Sequence, residues 1–183
     1  MASTYIDPDG REITATTRTY QLGYASIQHT KIKFTGNMTD KTGTKSSADI
    51  SALATRMEAQ VESSFSGSDG NSTWTTDAVI STGNAPSNGE HEINIQPSSF
   101  FSAPGVLGNV DKIGGNQINI NDSISSLTPT STNSNASFER TAAHEVGHAA
   151  GLRHGSGGLM EQTRNSNSLE INKSQIKDIV ENN

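Results

Sequence analysis

The segment His144-Glu145-Val146-Gly147-His148-Ala149-Ala150-Gly151-Leu152-Arg153-His154 combines three histidines with a helical pattern and a glycine. Its first half fits a helix, in which residues four apart lie on one face, so His144 and His148 can bind one ion. Gly151 ends that helix, because glycine readily adopts the left-handed conformation that turns the chain sharply. The turn brings His154 back toward the other two imidazoles as a third nitrogen ligand.

Three protein ligands leave one position of a tetrahedral zinc ion open, which is typical of a catalytic site and not of a closed structural one. Zinc lowers the pKa of a bound water to about 7, so hydroxide becomes available at neutral pH. Glu145 follows His144 in the helix but points along a different azimuth, so its carboxylate reaches the water and not the metal. These residues predict hydrolysis through a metal-activated water with Glu145 as the general base.

The spacing His144-Glu145-x-x-His148-x-x-Gly151-x-x-His154 resembles the extended zinc motif of metzincin peptidases. The resemblance implies a methionine turn under the metal, and Met160 in Gly157-Gly158-Leu159-Met160 is the matching residue. It also implies a zinc-dependent endopeptidase that binds one catalytic Zn²⁺ and acts on a protein or peptide substrate.

Apolar periodicity predicts the other elements of the chain. A first strand is expected at 29–35, and a long amphipathic helix follows at 46–65. Further strands are expected at 73–81, 91–95 and 117–120, the helix of the zinc motif at 137–150, and a last helix at 169–181. The order is therefore strand, long helix, three strands, helix, turn and helix.

This order is similar to the metzincin core and implies an α+β, zincin-like fold. That fold has a small twisted mixed sheet, a long helix, an active-site helix, a C-terminal helix and an antiparallel edge strand over the cleft. The candidate edge strand is Gly114-Gly115-Asn116-Gln117-Ile118-Asn119-Ile120, in which Gln117, Ile118 and Asn119 would bind an extended substrate through main-chain hydrogen bonds. An ordinary sheet strand is the alternative interpretation of the same residues.

The length of 183 residues fits a single catalytic domain spanning 1–183, with 1–28 as an N-terminal extension or a linker from a larger protein. A hydrophobic fraction of 31% predicts a small core with long polar loops. A formal charge of −6 argues against a nucleic-acid partner. No run approaches the roughly 20 apolar residues that span a membrane. We expect a monomer.

The chain contains no cysteine, which excludes disulfides, thiolate zinc sites and a thiol-based latency switch. It also begins without the basic and apolar regions of a signal peptide. The opening Tyr5-Ile6-Asp7-Pro8-Asp9-Gly10-Arg11 resembles the DPxG segment that precedes the effector domain of RHS-repeat polymorphic toxins. That resemblance implies a peptidase secreted or delivered as part of a larger protein, with an immunity or inhibitor protein as partner. A plain turn explains the same residues equally well.

Two other functions remain open at this stage. One is an inactive zinc-binding module for peptide recognition, against which Glu145 argues, because a module that only binds needs no base beside its metal. The other is zinc hydrolysis of a non-peptide substrate by a toxin effector domain. For a peptidase, the resemblance implies an S1′ pocket lined by Glu161-Gln162-Thr163-Arg164, and Arg164 motivates an expected polar or acidic side chain there.

Three remaining features are given ordinary interpretations. His29 and His91 lie at predicted strand boundaries, where surface or capping roles are expected rather than metal binding. Asp69-Gly70-Asn71 offers oxygen atoms of the kind that bind Ca²⁺, but it lacks the spaced acidic series of a known calcium loop. A turn is the preferred interpretation of that run.

Overall fold

The computed structural model describes residues 13–83, 85–87, 89–126, 137–155, 157–161 and 168–181. Within these ranges the chain forms an α+β fold with a mixed sheet of seven strands and three α-helices. The strands are β1 Thr14–Leu22, β2 Ala25–Asp40, β3 Gly67–Asp69, β4 Ser72–Thr82, β5 His91–Gln96, β6 Gly108–Val110 and β7 Gln117–Asn121. The helices are α1 Ser47–Ser64, α2 Phe138–Ala149 and α3 Lys173–Glu181. None of the described helices is long and apolar enough to cross a membrane.

The long strand β2 organises the sheet, whose order is β3-β4-β2-β5-β7-β6. Parallel β4 covers one edge of β2, while antiparallel β1 and parallel β5 share the other edge. The predicted strand at 29–35 is therefore confirmed but extends further in both directions. Residues 14–22 and 25–28 lie in the sheet, so the prediction of an N-terminal extension up to residue 28 is wrong for them. These residues are mostly polar and carry little of the apolar alternation that signals a strand.

Helix α1 packs against the sheet through one apolar face, as its periodicity predicts. Ser46 caps it, because its side chain accepts a hydrogen bond from the backbone N–H of Asp49 while the Asp49 carboxylate accepts one from the Ser46 N–H. The buried hydrophobic side chains of this face are Ile50, Leu53, Ala54, Met57 and Val61. They form one core with the apolar residues of β2, β5, β7 and α2.

The edge of the sheet beside the site differs from the prediction. Strand β7 lies inside the sheet, between parallel β5 and antiparallel β6, and β6 is the edge strand. The assignment of the edge to 114–120 is therefore wrong, although an antiparallel edge strand is present. Strand β6 has three residues, Gly108–Val110, which are too few to show the periodicity of a strand. The longer β7 shows that periodicity clearly.

The last helix begins at Lys173, four residues later than predicted. Asn172 and Gln175 exchange hydrogen bonds between their side chains and each other's backbone N–H, which caps the helix at this point. Ile171, just before the cap, donates its N–H to the carbonyl of Ser64 at the end of α1. At Asp69-Gly70-Asn71 the chain makes the β3–β4 turn, with φ of 58° at Gly70, as the turn interpretation expects.

Candidate metal centre and cleft

The imidazoles of three histidines converge in the structure. His144 Nε2 lies 3.1 Å from His154 Nε2, and His148 Nε2 lies 3.0 Å from the same atom. A tetrahedral zinc ion with bonds of about 2.05 Å places its ligand nitrogens about 3.3 Å apart, close to these separations. Among the described residues, His144, His148 and His154 form the group whose donor atoms are near enough to share one metal ion.

Backbone carbonyls fix the tautomer of two of these rings. His144 Nδ1 lies 2.8 Å from the Leu159 oxygen, and His148 Nδ1 lies 2.8 Å from the Leu152 oxygen. A carbonyl only accepts, so each Nδ1 carries a proton. Burial lowers the pKa of His144 to about 4, and it also lowers the pKa of His148. Both rings are therefore neutral and direct Nε2 lone pairs into one space, an arrangement that fits a bound cation.

The turn after α2 joins the end of this helix to the segment that carries His154. Gly151 has φ of 89°, its N–H donates to the carbonyl of His148, and the N–H of Leu152 donates to the carbonyl of Gly147. This pair of bonds is the Schellman motif that ends many helices at a glycine. Since the Leu152 carbonyl also binds the His148 ring, the helix end both turns the chain toward His154 and orients a second histidine.

Glu145 lies where α2 meets the edge strand. Its side chain is buried, and burial raises its pKa to about 8. A Cβ placed on Gly108 of β6 would lie 2.9 Å from the Glu145 Oε1 and 2.8 Å from the Thr141 methyl group. The absence of a side chain at Gly108 therefore lets the edge strand approach the carboxyl group.

A cleft of about 730 Å³ runs between β6 and the three histidines. Gly108 and Val110 line it on one side, and Arg140, Glu145 and Glu161 line it from α2 and the following segment. This volume is large enough to hold more than a single small group beside the histidines. It therefore provides space for an extended ligand next to a metal ion.

Met160 lies under α2 at the end of a short 3₁₀ helix, Gly158–Met160, and is fully buried. A side chain at Gly147 would overlap the sulfur of Met160, so the glycine inside the zinc motif allows the contact. Leu159, the neighbour of Met160, supplies the carbonyl that binds His144. The carbonyl of Gly157 in the same loop accepts a hydrogen bond from the buried side chain of Gln175 in α3.

No sequence pattern identifies Gly108, Gly147 and Gln175 as site residues. Glycine and glutamine carry no chemistry that marks them in a motif, and their importance here depends on which atoms approach them. The pairing Asn172-x-x-Gln175 was the available signal, because it fits a helix cap, but nothing in it indicates the contact with Gly157.

The predicted substrate-binding residues lie elsewhere than expected. Ile118 and Asn119 are buried, and the Asn119 side chain donates to Asn109 of the edge strand. Gln117 donates its side-chain N–H to Glu92 of β5. Because β7 pairs with a strand on each side, its backbone is not open to a peptide, and the prediction of a substrate-facing edge at these three residues is wrong.

The other two histidines do not join the cluster. His29 lies 2.7 Å from the Thr73 hydroxyl on the neighbouring strand. His91 is fully buried, stacks on Phe34 and contacts the Thr35 carbonyl, so the surface role expected for it is wrong. The stretches 5–11 and 162–164, which carry the toxin resemblance and most of the expected S1′ pocket, lie outside the described residues.

Comparison with known proteins identifies the family of this chain. No curated protein sequence matches the chain significantly. A family model does match, namely Peptidase_M10, described as Matrixin, over residues 14–181. The match runs from the first strand to the end of the last helix and includes all three converging histidines. The chain therefore belongs to the matrixin family and is a zinc metallopeptidase of the metzincin type.

Proposed function

We propose that this protein is a zinc-dependent endopeptidase in which His144, His148 and His154 hold the metal and Glu145 is the general base. The observation that carries the proposal is the convergence of the three Nε2 atoms in the same cleft as a buried carboxyl group. Neutral imidazoles held by carbonyls are metal ligands already in their binding form. A binding module would not need the carboxyl group beside them.

The chemistry divides between the metal and Glu145. Zinc bound by the histidines would supply the Lewis acid that polarises the scissile carbonyl and activates water for attack. The carboxylate of Glu145 accepts a proton from the nucleophile and passes it to the leaving amine. Burial favours the protonated carboxyl group of Glu145. A zinc ion bound by the histidines would place a positive charge nearby, which favours the ionised form that a base requires.

The substrate is proposed to lie along β6 as an added antiparallel strand. Leu107 and Asp111 direct their bonding backbone groups toward β7, where they pair with Asn121 and Gln117. Backbone groups alternate along a strand, so those of Gly108 and Val110 point to the open edge. Among the described residues no strand covers that edge, and it faces the cleft. Main-chain hydrogen bonds there would hold an extended peptide across the metal.

We also propose that Gly157–Met160 acts as the methionine turn. Its support is twofold: Met160 packs directly against the Gly147 backbone of the zinc motif, and Leu159 fixes the His144 ring. The turn would thus form the floor of the metal site and hold one ligand in its binding orientation.

The general-base role is tested by Glu145→Ala. We expect the variant to keep its fold and about one zinc per chain but to lose about 10²- to 10⁴-fold in kcat, the range typical of general acid–base catalysis. Cleavage of a quenched-fluorescence peptide library and elemental analysis measure the two properties. Glu139→Gln is the matched control, because it removes a carboxylate from the same helix where that group pairs with Arg56. Unchanged proteolysis by Glu145→Ala would reject the mechanism.

A further inference from the structure

Arg140 is a buried cation in the wall of the cleft. It lies four residues before His144 in α2, so the two side chains share one face of the helix. Only 8% of the residue is exposed, yet it lines the cleft together with Glu145 and Glu161. A charged group that is buried and also reaches a binding cleft is a candidate for substrate recognition.

The described residues satisfy little of its hydrogen-bonding capacity. Arg140 Nη2 donates to the Glu161 carbonyl at 3.3 Å, and Nε is buried without a partner among the described residues. None of the ion pairs formed by the described residues includes Arg140. The adjacent Glu139 pairs with Arg56, and the Glu161 carboxylate accepts from the Gly157 N–H.

A buried guanidinium without an anion is an energetically costly arrangement. Arginine keeps its proton in proteins, so the charge is retained even though burial lowers the pKa of Arg140. An uncompensated buried charge is destabilising, and a carboxylate that pairs with it through two parallel hydrogen bonds removes much of that cost. The cleft therefore offers more binding energy to a ligand that brings a carboxylate than to an uncharged one.

We propose that Arg140 is a specificity-determining residue that binds the carboxylate of an aspartate or glutamate side chain next to the scissile bond. The proposal rests on the peptidase function proposed above. Four helical residues span about 6 Å, so Arg140 lies within the length of one substrate side chain from His144. Its contact with Glu161 places it at the segment that follows Met160.

Two pairs of end-blocked peptides test the proposal, one pair for each side of the scissile bond. Once the cleaved bond is located in a peptide library, glutamate and glutamine are compared at each of the two flanking positions. Acetylated and amidated ends ensure that only the side chain supplies a carboxylate, and a further peptide with a free C-terminus reports recognition of a terminal carboxylate instead. At one of the two positions we expect kcat/KM to favour glutamate by about 10- to 100-fold, as for hydrogen bonds between charged groups.

Three variants assign the preference to Arg140. Arg140→Gln should bring the ratio of the two kcat/KM values close to one, and Arg140→Lys should retain part of it, since lysine keeps the charge without the planar fork. Arg153→Gln removes the same charge from an exposed position in the same cleft and should keep the ratio. Circular dichroism and zinc content verify that each variant is folded and loaded.

The outcomes separate this inference from the peptidase function. Three results overturn the role of Arg140 while the peptidase stands: equal cleavage of the glutamate and glutamine peptides in both pairs by the wild type, a preference that depends on the free C-terminus, or an equal loss of the preference in Arg140→Gln and Arg153→Gln. If no peptide is cleaved, the proposed function fails. Since no cleaved bond is then located, two end-blocked libraries that carry either glutamate or glutamine at one fixed central position are compared for binding to zinc-loaded Glu145→Ala by calorimetry. Binding without a preference for glutamate overturns the inference.

Discussion

At the scale of single residues, the three histidines are not equivalent. His144 and His148 are buried, and backbone carbonyls hold their rings before any metal binds. His154 is exposed and follows the turn at Gly151, so its position depends on the path of the chain. Of the three histidines, it is therefore the one whose contribution to zinc binding most needs a direct measurement.

Loss of a residue that only hydrogen-bonds to a metal ligand typically weakens metal binding by about 10- to 100-fold. His154→Ala removes a ligand itself, so it should weaken zinc binding by more than that. Competition with a chromogenic chelator measures the affinity. His29→Ala serves as the control, since His29 contacts Thr73 on the sheet and lies outside the cluster. Full affinity in His154→Ala would exclude His154 from the ligand set.

At the scale of elements, the site is built where the end of α2 meets the edge of the sheet. Helix periodicity places two histidines one turn apart, and the Schellman turn at Gly151 redirects the chain. The carbonyl of His148 accepts from Gly151 and also from Gly114 in the loop before β7. The helix end is therefore fixed both by its own turn and by the neighbouring sheet.

Gly151→Ala should lower stability by about 1–2 kcal/mol, because a non-glycine residue is strained in the left-handed conformation. It should also reduce zinc affinity, since the same turn presents His154. Denaturant unfolding and chelator competition give the two values. Gly70→Ala provides the matched control, with φ of 58° at the remote β3–β4 turn. It should show a similar loss of stability and unchanged zinc affinity, and equal zinc affinity in both variants would contradict the role of the turn.

At the scale of the whole molecule, distant segments converge on the loop under the metal site. Leu159 donates its N–H to the carbonyl of Glu170, and Ile171 donates to Ser64 at the end of α1. Gln175 of α3 is fully buried and donates to the carbonyl of Gly157. The orientation of His144 therefore depends on segments from the middle and the end of the chain, through the Leu159 carbonyl.

Gln175→Glu should lower zinc affinity and stability together. Glutamate keeps an acceptor for the helix cap but removes the donor to the Gly157 carbonyl, and it places a carboxyl group at a fully buried position, so stability should fall by at least about 1–3 kcal/mol. Thermal unfolding with and without zinc, together with chelator competition, measures both effects. Gln60→Glu is the control, because Gln60 donates to Ser64 within α1 and away from the loop. A stability loss with unaltered zinc affinity would show that Gln175 acts on the fold alone.

Elements with local signals follow from the sequence alone. The helix of the zinc motif, the left-handed turn at Gly151 and the long helix α1 all follow from contacts between residues at most a few positions apart. Their periodicity or conformational demand is visible in the order of residues. For the same reason the convergence of His144, His148 and His154 was predictable.

The position of β6 at the edge of the sheet, the burial of His91 and the place of Arg140 in the cleft emerge from the tertiary structure alone. A strand of three residues such as β6 has no measurable period, and a sequence does not state which of two strands pairs on the outside. His91 and Arg140 were placed by segments far away in the chain. Burial and partners arise from long-range packing, which no local pattern encodes, and these contacts set the shape and charge of the cleft.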